Sequence, residues 1–353
     1  MTSSERCLCV LRHEEPDRVP IHDSPWGTTV ERWHREGLPE NIGPHEHFGY
    51  ELSAIGADTS FRFPGETVED TEEYVIARDA NGALRRNWKH ATSTPECIDF
   101  LIKTPADWNE HKPRLAMSRD RIDFENGLKS QAAVRESGQF WCYSGAIGYD
   151  KTQGIVGSQN LLMAMLDDPA WVYGMFMAGA DLIVQTAEEM MAGGFAFDAA
   201  FLYDDMGYRN GLLFSPRAYR ELLFPAHQRA CDFFRSKGLP IILHSCGGVA
   251  AIVPDLIDAG FTCLQPLEVK AGMDLIRLKR DFGDRMAFMG GIDVRVMARG
   301  NPQEIEEEVG SKLTVAKQCG GYLYHSDHSV PDNVSFESYE LVMEMVAKYG
   351  RYG

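Results

Sequence analysis

Short runs rich in β-branched and aromatic residues recur along this chain, each followed by a stretch with helical spacing, and that alternation narrows the folds open to it. Eight such runs fall at residues 18–22, 58–63, 140–144, 199–203, 240–244, 262–266, 285–289 and 321–325. Strands that alternate with helices lie parallel, with the helices covering the sheet. Eight repeats suggest closure, so the expected class is α/β, a (β/α)8 TIM barrel. The punctuation agrees. Pro169 divides the apolar stretch 158–191 into two helices at Asp168, because proline lacks the amide donor and pushes its predecessor out of the helical region. Ser215–Pro216 and Asn301–Pro302 each read as an N-cap followed by proline at the first helical position, with Gly238 and the pair Gly320–Gly321 as stops. Residues 337–350 supply a last helix.

One segment departs from the barrel pattern. Residues 72–92 alternate apolar and polar side chains around Asn81 and Gly82, which tolerate the positive φ of a tight turn. They predict a small hairpin inserted near 70–92, after the second strand. No repeat, low-complexity tract or linker marks a further boundary, so residues 1–353 read as a single domain.

Composition limits the partners. An apolar content of 44% is that of a globular chain, and a formal charge of −17 repels phosphate backbones and anionic lipid, so neither nucleic acid nor a membrane surface is expected. The N-terminal apolar stretch is too short and too charged for a signal peptide, and no run reaches the roughly 18 apolar residues of a spanning helix, so a cytoplasmic location is expected. The eight cysteines contain no C-x-x-C, which argues against a disulfide framework or a zinc ribbon.

The fifth run ends in "ILHSCGGV". Side chains alternate along a strand, so His244 and Cys246 face the same way as Ile242, toward the barrel interior, while Ile241 and Leu243 face the helices. The functional mouth of such a barrel lies at the carboxyl ends of its strands, where this pair falls. Gly247 and Gly248, like Gly290 and Gly291 after the seventh run, allow backbone to approach a ligand or cofactor closely. Imidazole and thiolate suit Zn²⁺, yet a catalytic zinc needs about three protein ligands. His244 as a polar mouth residue and Cys246 as a packed thiol is the plainer alternative. A third donor is sought after the eighth run, in His325, Asp327 or His328; Cys319 precedes that strand and belongs to the opposite end. Of the consecutive Asp204 and Asp205, one enters the mouth, as ligand, partner to a histidine, or helix cap. Asp293 reads as an N-cap, and Gln265 and Glu268 as ligand-facing or solvated. Trp26, Tyr143, Tyr149, Met206 and Tyr208 are candidates for the substrate wall, or for core.

"PDRVPI", "ILHSCGGV", "FMGGID" and "GGYLYHSDHSVP" together resemble the uroporphyrinogen decarboxylase superfamily over nearly the whole chain, itself a (β/α)8 barrel. True decarboxylases carry an arginine-rich R-Q-A-G-R-Y stretch near the start; Arg32 and Arg35 are spaced differently here. The other branch is similar in its H-x-C motif: cobalamin-dependent methyltransferases bind zinc through H-x-C and a later cysteine. That resemblance implies His244 and Cys246 as metal ligands, with His328 of S-D-H-S standing where the cysteine normally lies. It implies methyl transfer between a small methylated donor or acceptor and a corrinoid on a separate protein, zinc activating a thiol or polarising an ether or amine. Histidine for cysteine makes the metal more electrophilic and favours demethylation. Members often dimerise, so a homodimer is compatible with the resemblance. The alternatives are a metal-free carboxy-lyase with Asp205, His244 and His328 as acid–base groups, and a binding protein without chemistry.

Overall fold

The computed structural model describes residues 1–90 and 95–353. Seven parallel strands form one curled sheet, in chain order: Leu52–Ile55, Phe140–Ala146, Ala199–Tyr203, Ile241–His244, Cys263–Gln265, Ala287–Met289 and Tyr322–Leu323. The chain is an α/β protein whose curled parallel sheet is consistent with a TIM-like barrel. Residues 18–22 run between the two outermost strands without becoming a regular strand. Ile21 bridges Tyr324 in parallel, and its carbonyl accepts the Glu51 N–H at 2.8 Å. Pro20 explains the interruption: it accepts from the Tyr324 N–H at 2.9 Å but has no N–H to return.

The 58–63 run is not a strand. The Asp58 carboxylate accepts the Ser60 N–H and Arg62 adopts a left-handed φ of 55°, so the chain turns there, and the strand lies upstream at Leu52–Ile55. The insertion is larger than a hairpin. Glu66–Asp70, Tyr74–Arg78, Ala83–Trp88 and Glu96–Phe100 form a four-stranded antiparallel sheet. Its central pair meets at a turn where Asp79 accepts the N–H groups of Asn81 and Ala83 and Gly82 takes a φ of 83°. The flanking strands escaped notice because Glu66–Asp70 is exposed at every position, leaving no buried face for a pattern to report. Residues 91 and 92 of the expected span lie outside the described residues.

The helix punctuation is where the proline signals put it. Asp168 caps Pro169–Ala192, Ser215 caps the turn beginning at Pro216, and Asn301 caps Pro302–Ala316. Among the described residues no helix is long and apolar enough to cross a membrane.

Strand parity sorts the core into two parts. Phe140, Cys142, Phe201, Ile242, Met289 and Leu323 pack inside the sheet with Cys7, Val10 and Leu11 of helix Ser3–Leu11. That helix plugs the end where strands begin, since Val10 accepts the Gly321 N–H. Ile241, Leu243, Tyr322 and Tyr324 face the helices instead. Two residues beyond the inward Ile242, Cys263 and Leu323 come His244, Gln265 and His325, which therefore lie in a polar layer above the apolar plug.

Glu51 holds the irregular entry segment in place. It is 2% exposed and accepts from Arg6, from Arg18 at 2.8 Å and from the Ile21 N–H at 2.6 Å. Glu51→Ala leaves Arg6 and the Ile21 amide without that acceptor in the interior, so urea unfolding should show a loss of about 3–5 kcal/mol. An unchanged midpoint would mean that the backbone bonds of residues 18–22 to Tyr324, Gly350 and residue 51 hold the segment without the carboxylate.

Candidate functional site

The tautomer of His244 follows from groups deeper in the protein. His325 Nδ1 lies 2.6 Å from the Ser326 carbonyl and donates to it, which leaves its Nε2 as an acceptor. Burial lowers the pKa of His325, more than the nearby Asp23 raises it, and keeps it neutral. The Gln265 amide nitrogen then donates to His325 Nε2 at 3.2 Å, which turns the Gln265 oxygen toward His244 Nδ1, 2.5 Å away. His244 donates from Nδ1 and presents Nε2 to the mouth.

Cys246 and Asp205 meet that nitrogen. Cys246 Sγ and Asp205 Oδ1 each lie 3.4 Å from His244 Nε2, and one donor atom from each of the three residues falls within 4.8 Å of the others. The same carboxylate accepts the Cys246 N–H at 2.7 Å, stitching the loop after Ala199–Tyr203 to the loop after Ile241–His244. Burial would raise the pKa of the Cys246 thiol, but hydrogen bonds from His244 and His328 outweigh it and hold the thiol below its usual range. His328 is correspondingly raised, first by its bond to that sulfur. Its Nδ1 faces the Ser329 carbonyl at 3.2 Å. Burial opposes protonation of His244, but Asp205 and Cys246 prevail and raise it to about 10. Asp205 is held below the carboxylate range: burial works against ionisation, and His244 and the Cys246 N–H overcome it.

The two aspartates divide as alternation requires. Asp204 is fully buried on the outer face, accepting the Asp150 N–H at 2.7 Å and pairing with His227 at 2.8 Å. A carboxyl that sequence reasoning missed stands nearby: Asp150 is pushed up to about 6, mainly by burial and further by the charges of Asp205 and Asp204. No local pattern marks it, because its neighbours lie some fifty residues away in the chain.

The sequence pattern of the uroporphyrinogen decarboxylase (URO-D) family matches residues 152–349, more than half of the chain. The chain belongs to that family. Among solved structures it is similar to a methyltransferase from Methanosarcina mazei, 16% identical over 99% of each chain with a TM-score of 0.69. A β-glucosidase from Pyrococcus furiosus is 10% identical over 100% of this chain and 91% of that one, with a TM-score of 0.42. No curated protein matches.

In this URO-D chain the remaining candidates separate cleanly. Trp26 packs edge-on against His328, with ring centroids 6.0 Å apart, and Tyr208 is 48% exposed on a short hairpin. Tyr143 points outward, its hydroxyl on Thr186 at 2.9 Å; Tyr149 is buried with its hydroxyl on Ser158 at 2.6 Å; Met206 is fully buried. These three belong to the core and not to a substrate wall. Tyr203 lies beside the mouth histidine, its ring 5.2 Å from His244; it was legible as the residue two beyond inward Phe201. Asp327 is no donor to the mouth, since its oxygens clamp the N–H groups of Val269 and Val294. Glu268 accepts the Gly247 N–H at 2.6 Å, and Asp293 caps Val294–Arg299. The four glycines expected to admit a cofactor admit protein instead. A Cβ at Gly247 would fall 2.2 Å from Gly207, and one at Gly290 2.0 Å from the Pro266 carbonyl; Gly248 crowds Ala271 and Gly211, and Gly291 crowds Leu275.

The imidazoles around Cys246 should show in its reactivity. In metal-free protein, iodoacetamide should modify Cys246 near pH 7 well before the exposed Cys97 and Cys319, because the thiolate is the nucleophile. The rate should fall only as pH drops through the depressed pKa, and His328→Ala should slow it. Equal rates at Cys246 and Cys319 would show that neither imidazole supports the sulfur.

Proposed function

We propose that this chain is a zinc-dependent methyltransferase that moves a methyl group between a small substrate or acceptor and a corrinoid carried on a separate protein. The supporting observation is the donor set: imidazole nitrogen, sulfur and carboxylate oxygen within 4.8 Å of one another at the carboxyl ends of parallel strands. The family match and the likeness to a methyltransferase fold over 99% of the chain add to it. In this reading residues 18–22 complete an eight-membered barrel whose mouth is this site.

The donors fit zinc. It is a borderline-soft cation that takes N, S and O ligands, and three protein ligands leave one position for a reactant. His244 offers Nε2, Cys246 is favoured as thiolate, and Asp205 is ionised. His328, on the same sulfur, is the alternative third ligand. When bound, the metal supplies Lewis acidity toward a thiol acceptor or the oxygen or nitrogen of a methyl donor. The chain's own residues do the rest. Gln265 fixes the face His244 presents, and Asp205 holds the Cys246 backbone in place. Asp150, with its carboxyl near 6, can hold or release a proton at neutral pH. A metal-free carboxy-lyase reading is less well supported, because a substrate carboxylate would meet Asp205 and the Cys246 thiolate.

Elemental analysis should find one zinc per chain, lost in His244→Ala and in Cys246→Ala. Comparing Asp205→Ala with His328→Ala identifies the third ligand. Gln265→Leu should weaken zinc about 10–100-fold, as loss of an outer partner of a ligating histidine does. Binding should weaken as pH falls, since protons compete for the same atoms. Mixing with methylated corrinoid protein and a thiol, or with reduced corrinoid and a methyl ether or amine, should change the corrinoid absorption. Protein that carries no zinc and is indifferent to chelation would overturn the proposal.

A further inference from the structure

A second polar corner opens into the same mouth and takes no part in the donor set above. Along residues 19–24, Val19 and Ile21 pack against the helices, and Asp23 faces outward to Ser326 and Tyr339. Alternation puts His22 and Ser24 on the inner face beside His325. The His22 and His325 rings are 6.0 Å apart, and Ser24 Oγ lies 3.4 Å from His325 Nε2. That nitrogen already accepts from Gln265 at 3.2 Å, so the Ser24 hydroxyl, on an exposed residue, is free to turn toward a ligand.

His22 is the informative group. Its Nδ1 is buried without any hydrogen-bond partner, while the residue still borders open space. A buried N–H without an acceptor is among the rarest features of folded proteins. The proton therefore belongs on Nε2, the ring nitrogen that is not sealed in. Enclosure by protein, with His325 and His45 nearby, pushes the pKa of His22 well down, so the ring stays neutral. Asp23 borders this corner from behind, its Oδ1 3.6 Å from His325 Nδ1. Its carboxylate receives the hydroxyls of Ser326 at 2.6 Å and Tyr339 at 2.8 Å, and the Ser24 N–H at 2.9 Å. The corner thus offers two uncharged side chains, the His22 N–H and the Ser24 hydroxyl, with the Asp23 carboxylate behind them. A carboxylate there would lose its hydration beside the Asp23 carboxylate, and an ammonium would meet the His22 N–H, a donor, where it needs an acceptor.

We propose that His22 Nε2–H and the Ser24 hydroxyl form a substrate-anchoring subsite for an uncharged oxygen acceptor, an ether, hydroxyl or carbonyl oxygen. This inference rests on reading the mouth as the substrate site, but not on the metal. It selects oxygen-bearing neutral methyl compounds over carboxylated or ammonium ones.

Three probes of matched size test it: 2-methoxyethanol, methoxyacetate and 2-methoxyethylammonium, titrated at pH 7.5 by saturation-transfer NMR. The neutral probe should bind about tenfold more tightly than either ion. His22→Leu should remove about tenfold of that affinity, and Ser24→Ala, at an exposed position, a smaller part, both with zinc content unchanged. The ¹⁵N signal of His22 Nε2 should shift on adding 2-methoxyethanol. Equal binding of an ion, or a folded His22→Leu with undiminished affinity, overturns the subsite; if His22→Leu does not fold, undiminished affinity in Ser24→Ala does so. Selective probe binding by a protein without zinc would leave the subsite standing and defeat the metal reading. Zinc without selectivity would do the reverse.

Discussion

One carboxamide decides which nitrogen His244 shows to the mouth. Gln265 joins two imidazoles, donating to His325 Nε2 and accepting from His244 Nδ1, and each end is fixed by the other. The chain of constraint begins deeper, where the Ser326 carbonyl takes the His325 Nδ1 proton. Reversing the amide would set donor against donor at His244 and acceptor against acceptor at His325. The loose appearance of H-x-C as a motif conceals this: the two residues matter because the layer beneath them leaves His244 Nε2 beside Cys246 Sγ.

The loops around that corner are held by backbone amides donating to carboxylates. Asp205 takes the Cys246 N–H, Glu268 takes the Gly247 N–H, and Asp327 takes those of Val269 and Val294. Three of these bonds join the loops of adjacent strands and the Asp327–Val269 bond reaches one strand further, so the mouth is braced around its rim. Asp327 is driven up to about 6 by burial despite those two amides. Glycines serve the same bracing, since Gly247 and Gly290 sit where a Cβ would strike the backbone of an adjoining loop.

Alternation made much of this legible. Ile242 faces in, so His244 and Cys246 do as well, and the same count places Gln265 and His325 beside them. The proline-marked helix starts after Asp168, Ser215 and Asn301 were equally local and equally readable. What alternation does not carry is distance across the chain. Tyr143 and Tyr149 look like mouth aromatics only until Thr186 and Ser158 claim their hydroxyls. Asp150 enters the site through Asp204, an amide-to-carboxylate contact over fifty-four positions that no window of sequence contains. The glycines were read correctly as points of close approach, but a sequence does not say what approaches.

Asp204 and Asp205 show how far a single step along a backbone changes the outcome. Both stand beside a histidine. On the outer face Asp204 and His227 are fully buried at 2.8 Å, and Tyr219 meets the other ring nitrogen at 3.0 Å, so every polar atom of the imidazole is spoken for and the pair binds helix to sheet. On the inner face Asp205 and His244 stand 3.4 Å apart, with side chains 40% and 21% exposed and a sulfur atom at the same nitrogen. Burial raises the pKa of Asp204, whereas His244 and the Cys246 amide lower that of Asp205. The chemistry is the same in both pairs, and only the inner one has an atom left to offer. The residues that can act are those whose hydrogen bonds the fold leaves incomplete, and strand parity determines which of the two adjacent carboxylates that is.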